Sequence, residues 1–146
     1  MSNTPAEYKF DEILLGTKVK FLVHIDESKI NEFAKITGDF NPLHVDKNYA
    51  AKTQFGKIVC HGMLVASFFS RLIGMHMPGK NSLYFSQTLN FQMACFAGDE
   101  ISIEGEIIDK SESTQIITMK TTANNHDGKC IVDGIAKVMV RKNIDQ

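Results

Sequence analysis

Apolar positions recur along this chain with two periods, helical in the first half and alternating in the second. The stretch "KVKFLVHI" (18–25) is β-branched and aromatic and predicts a strand. Asp26 then suits a helix N-cap, with Ile25 and Ile30 placed to close a hydrophobic staple. Ile30, Phe33 and Ala34 follow at helical spacing, and Gly38 can supply the left-handed turn that ends the helix. Pro42 pushes Asn41 out of the helical region, so residues 39–44 are expected to form a loop. A short helix is predicted over "DKNYAAKT", and a long one from about His61 to His76, stopped by Pro78-Gly79. This second helix is apolar nearly all round, as expected of one surrounded by protein.

Beyond it the period falls to two. In "SLYFSQTLNFQM", Leu83, Phe85, Leu89, Phe91 and Met93 share one face, and Ser82, Tyr84, Ser86, Thr88, Asn90 and Gln92 the other, which predicts a half-buried strand. "EISIEGEII", "TQIITMKTT" and "CIVDGIAKVMV" follow at short spacing, the last two joined by an Asp-Gly hairpin signal in "NNHDGK". One strand, helices and then a strand meander predict an α+β domain whose curled antiparallel sheet packs on one buried helix.

Composition narrows the functional classes. A chain of 146 residues that is 43% hydrophobic suits a single core. A net charge of −1 provides no global field for nucleic acid or an anionic membrane, so neither is expected as a partner. Cys60, Cys95 and Cys130 are odd in number and lack C-x-x-C spacing, which argues against a disulfide framework or zinc site and fits a reducing cytoplasm. The first ten residues carry no signal-peptide pattern, and residues 1–17 read as a flexible extension ahead of a domain over 18–146. "GMLVASFFSRLIGM" is too short to span a membrane.

The stretch "TGDFNPLH" (37–44) concentrates candidate chemistry. By spacing alone it reads as a helix stop: Gly38 caps, Asp39 and Asn41 bond their own turn, Pro42 stiffens it and His44 is incidental. The alternative is a reaction centre, because a carboxylate and an imidazole can share a proton-transfer task near neutral pH if a proline-bent loop turns both to one water. Gly62, at the start of the long helix, either lets that helix begin close to the sheet or offers a backbone N–H to developing negative charge. His61 reads as a helix-start residue. Ser70 reads as bonding a carbonyl one turn earlier, and Arg71 as reaching the surface or a subunit interface. His24, His76 and His126 have no ligand spacing, and phosphate-loop, nucleophile-elbow and dinucleotide motifs are absent.

With these residues in place, the chain resembles the MaoC-like, (R)-specific enoyl-CoA hydratases of the hotdog fold. Their signature is met at every defined position by Phe33, Ile36, Thr37, Gly38, Asp39, Asn41, Pro42, Leu43, His44 and Ala50. The similarity continues through "IVCHGMLVASFFSRLIGMHMPGKNSLYFSQTLNF" and "FAGDE". It implies a single hotdog domain, a long helix wrapped by an antiparallel sheet, assembled as a homodimer. Asp39 and His44 are implied to hold the reacting water, Gly62 N–H to polarise the thioester carbonyl, and Ser70 to support the site. Gly38, Asn41 and Pro42 then shape the catalytic loop. The implied reaction adds water to a trans-2-enoyl-CoA, giving an (R)-3-hydroxyacyl-CoA, with coenzyme A as part of the substrate and no metal or redox cofactor. Ile73, at the acyl-pocket position, suggests short or medium chains. A hotdog thioesterase, a carrier-protein dehydratase and a non-catalytic acyl-CoA binder are the rival readings. The dehydratase is disfavoured because no Asp or Glu lies between His61 and His76.

Overall fold

Alternation at period two produces six strands: β1 (Lys18–His24), β2 (Ser82–Gln87), β3 (Asn90–Phe91), β4 (Glu100–Ser111), β5 (Ile116–Asn124) and β6 (Cys130–Val140). In the computed structural model, which describes residues 2–142 and 144, they pair antiparallel in the order β1-β4-β5-β6-β2, with β3 also on β6. Along the inner face every second residue is buried: Ile101, Ile103 and Ile107 on β4, Ile117, Met119 and Ala123 on β5, and Val132, Ala136 and Val138 on β6. The helices are α1 (Glu27–Thr37), α2 (Pro42–Val45), α3 (Lys47–Ala51) and α4 (Gly62–Arg71), the last continuing into a wider π-helical turn over Leu72–His76. α4 lies in the trough of the sheet and buries Leu64, Val65 and Phe69, each contributing roughly 1.5–3 kcal/mol. The arrangement is the wrapped helix that the sequence implies.

Four local expectations are revised. Residues 39–44 are not wholly loop, because Pro42 starts a new helical turn as N1 instead of merely bending the chain, and His44 rides on that turn. α4 is not enclosed on every side: Met63, Ser67 and Ser70, one stripe at helical spacing, are exposed. The N-terminal extension is tied down, with the Ala6 and Tyr8 amides donating to Met75 O and Pro78 O, and Phe10 and Ile13 buried in the core. Met1 of that extension lies outside the described residues.

The fourth revision concerns the strand over 82–93, which breaks into β2 and β3 and turns its apolar face outward. Leu83, Phe85, Phe91 and Met93 are exposed, while Leu89 packs against the core. The inner side takes polar groups instead, and they are satisfied. The Tyr84 hydroxyl donates to Gln87 Oε1, Gln87 Nε2 to Thr121 Oγ1 (3.0 Å), and the Thr121 hydroxyl to Gly134 O (3.1 Å). Burial pushes the Tyr84 phenol up to about 12. A register shift between Tyr84 and Ser86 makes this exchange of faces possible.

Gly134 is required where β2 gives way to β3, since a Cβ there would lie 1.7 Å from Thr88 O. Gly134→Ala is therefore expected to lower the unfolding free energy by about 1–3 kcal/mol, read as a lower urea midpoint at unchanged slope.

Candidate active site

The end of α1 begins the site. Gly38, at φ +80, donates its N–H to Ala34 O at 2.8 Å and turns the chain out of the helix. Asp39 Oδ1 then accepts the Asn41 N–H (3.2 Å), and Asn41 Oδ1 accepts the Leu43 N–H (3.1 Å), so two successive side-chain caps carry the chain into α2. His44 stands in that short helix. Its Nδ1 lies 2.6 Å from Val59 O, and a carbonyl only accepts, so Nδ1 is the donor, and in the neutral imidazole Nε2 is the nitrogen with the free lone pair. Val59 N–H donates in return to Leu43 O (3.2 Å). These two bonds fasten the loop to the segment before α4, which is itself joined to the sheet side by Cys60 N–H to Cys95 O (2.7 Å).

Asp39 and His44 come together, as the family resemblance implies and spacing alone does not, and a third group joins them. The spacing gives His61 only a helix-start role, whereas the structure stacks its ring on that of His44, centroids 4.0 Å apart and planes 27° apart. His61 Nε2 lies 3.0 Å from Asp39 O and 3.9 Å from Asp39 Oδ2. One ligand atom from each of Asp39, His44 and His61 falls within 4.8 Å of the others. Asp39 is half exposed and His61 almost fully buried, so the cluster opens to the surface through the carboxylate. The signal for His61 was the pair His61-Gly62 at the head of an apolar helix, but nothing in its spacing separates it from an ordinary buried histidine.

Gly62 is the first residue of α4, and no side chain caps that end, so the first backbone N–H groups remain available to an acceptor. A Cβ on Gly62 would come within 2.7 Å of the Phe91 ring, so close packing also calls for glycine here. Cys60, just before His61, is no nucleophile: a hydrogen bond with Cys95, then burial, holds its thiol well above the usual range. Ser70 lies exposed on α4, about 12 Å along the helix axis from Gly62. Ile73 is buried in the π-helical turn. Neither touches the Asp39–His44 pair. On its α1 side His44 lines a cleft of about 180 Å³ with Ile30, Asn31 and Ile58, too small for an acyl-CoA.

Residues 12–129 match the family model described as "MaoC like domain". The chain belongs to this family. It is 39% identical over 124 residues to the (R)-specific enoyl-CoA hydratase of Aeromonas caviae, covering 85% of this chain and 92% of that protein. The solved (R)-hydratase of Pseudomonas aeruginosa, in its unliganded form, superposes with a TM-score of 0.89 at 35% identity, over 92% of this chain and 86% of that one. The match fixes the MaoC-like chain as a hotdog domain. A mitochondrial 3-hydroxyacyl-[acyl-carrier-protein] dehydratase of Arabidopsis thaliana is 32% identical over 140 residues, 94% of this chain and 80% of that protein. The chain is thus similar both to proteins named for coenzyme A thioesters and to one named for a carrier-protein thioester.

Asn41 should count for stability as well as shape. Asn41→Ala, which leaves the first turn of α2 without its acceptor, is expected to cost about 1 kcal/mol in chemical denaturation, while Asn41→Asp keeps most of it.

Proposed function

We propose that this MaoC-like protein hydrates trans-2-enoyl-CoA to (R)-3-hydroxyacyl-CoA and catalyses the reverse dehydration. The observation that carries the reading is the convergence of Asp39 and His44 beside the start of α4, in a chain 39% identical to an (R)-specific enoyl-CoA hydratase. Conjugation makes C3 of the enoyl thioester electrophilic once its carbonyl oxygen is held. Gly62 N–H, at the positive end of α4, is suited to that oxygen as it gains enolate charge. A water between the Asp39 carboxylate and His44 Nε2 gives up a proton as its oxygen bonds to C3, and the proton returns to C2 from the same face. One water supplies both added groups.

The charge is thus handled by a backbone N–H and a helix dipole, and the reaction calls for neither a metal nor a redox cofactor. Coenzyme A is substrate. Binding a cation among Asp39, His44 and His61 through His61 Nε2 would also break that atom's bond to Asp39 O. In this reading Ser70, further along α4, supports the site, and Ile73 in the π-helical turn limits the acyl path to short or medium chains. Three free thiols favour the cytoplasm, and no helix of the described residues is long and apolar enough to cross a membrane.

The functional form is a homodimer. Leu83, Phe85, Phe91 and Met93 lie exposed on and beyond the edge strand β2, beside the open stripe of α4. A second copy paired along β2 would cover these side chains and enclose the Asp39 side of the cluster.

Purified protein mixed with crotonyl-CoA should bleach the conjugated-thioester absorbance, and a stereospecific dehydrogenase should report the (R)-alcohol. Asp39→Asn and His44→Gln should each lose about 10²–10⁴-fold in kcat, and a ladder of acyl lengths should favour the shorter chains. Thiol release independent of the double bond would establish a thioesterase instead, and tight binding without turnover a sensor.

Phe85→Glu, which places a charge in the apolar strip, should halve the mass seen by sedimentation and remove most activity. A monomeric parent would overturn the dimer.

A further inference from the structure

His61 connects parts of the site that are far apart in sequence. Its main-chain carbonyl accepts the Leu64 and Val65 N–H groups at 3.1 and 3.3 Å, so the residue starts α4 and delivers Gly62 as the first helical position. Its ring is 1% exposed. One face lies on the His44 imidazole, and Phe33 of α1 meets it at 62° with centroids 4.9 Å apart. Nε2 points at Asp39 O, 3.0 Å away, and must be the donor there, whereas Nδ1 is buried without a hydrogen-bond partner. A histidine whose only task was to fill space would leave a polar nitrogen orphaned for nothing, because an apolar ring would pack as well without that cost. What the imidazole adds is the Nε2–H.

We propose that His61 is a positioning residue for the Asp39–His44 water site, acting through its Nε2–H bond to the Asp39 carbonyl. The inference rests on the hydratase reading above. Asp39 sits on an exposed connection between two helices, and the orientation of its carboxylate depends on the peptide that follows it. Asn41 N–H holds the carboxylate directly at Oδ1, while the peptide is held at its N–H by Gly38 O (3.2 Å) and at its carbonyl by His61. With the carbonyl released, only the bond from Phe40 N–H to Gly38 O holds the Asp39–Phe40 peptide, which can then tilt and carry Oδ2 away from His44 Nε2. The stacked ring meanwhile backs the His44 imidazole, opposing tilt about its bond to Val59 O. Neither contact reaches substrate, so the effect belongs to turnover more than to binding.

Two substitutions divide the side chain. His61→Phe keeps an aromatic ring against His44 and removes the donor; His61→Gln keeps an amide N–H near the position of Nε2 and removes the ring. On crotonyl-CoA, His61→Phe should lose about 10- to 100-fold in kcat with KM within about two-fold of the parent, as expected of a small misplacement of reacting groups. His61→Gln should recover to within about five-fold of the parent kcat, the effect expected of restoring one hydrogen bond. Parent-like turnover by His61→Phe, or equal losses in both variants that follow their melting temperatures, would overturn the proposal. Should His61→Phe fail to fold, His61→Gln decides alone, and a 100-fold loss there would count against the donor role. Asp39→Asn, run alongside, separates the two claims: its inactivity with an unimpaired His61→Phe defeats only the positioning role, while parent-like Asp39→Asn defeats the hydratase reading itself.

Discussion

The contact between His44 Nδ1 and Val59 O, 2.6 Å long, sets the chemistry available at the site. It assigns the proton to Nδ1, leaves Nε2 as the acceptor, and fixes the ring to the segment that precedes α4. The return bond from Val59 N–H to Leu43 O makes the attachment two-pointed, and the Cys60–Cys95 backbone bond passes it on toward the sheet. The loop is thereby tied through backbone hydrogen bonds to the segment before α4 and onward to the sheet side. Without that link, Asp39 would sit on an exposed connection and His44 on a four-residue helix with no buried side chain of its own.

The same arrangement explains why the site lies at a surface. Gly38 ends α1 in a left-handed turn, α2 and α3 follow with only Ala50 buried, and the Asp39 carboxylate is half exposed. On that side the chain also leaves the free edge of β2, the outward ring of Phe91 against Gly62, and the Met63-Ser67-Ser70 stripe of α4. Surface that is apolar, contiguous with the reacting groups and beside an unpaired strand is poorly suited to water and well suited to a second copy.

Much of this was legible in the sequence because it rests on local rules. The Asp26 cap, the Gly38 stop, the strand alternation and the long apolar helix each follow from the backbone preferences of a few residues, and the match of Gly-Asp-x-Asn-Pro-Leu-His to a family signature pointed to Asp39 and His44 as a pair. What escaped depends on partners distant in sequence. Alternation placed Leu83, Phe85, Phe91 and Met93 on one face but could not say which face was inner, since Tyr84 and Gln87 go inward only by virtue of Thr121 and Gly134 on other strands. His61 looked ordinary because its role comes from Asp39 and His44, both reached by a fold and not by a helix turn. Phe10 and Ile13 looked like part of a loose extension, as their burial depends on a core assembled from the rest of the chain. Pro42 was legible as a breaker, but breaking one helix and starting the next are the same constraint on φ.

The proposed hydration requires one oxygen to be shared by Asp39 and His44 while Gly62 holds the thioester. The most direct measurement is a crystal structure of the Asp39→Asn variant with (R)-3-hydroxybutyryl-CoA. The 3-hydroxyl should lie within hydrogen-bond distance of His44 Nε2 and the side chain at position 39, with the thioester oxygen accepting from Gly62 N–H. A hydroxyl directed away from His44, or an acyl chain seated elsewhere on the protein, would contradict it.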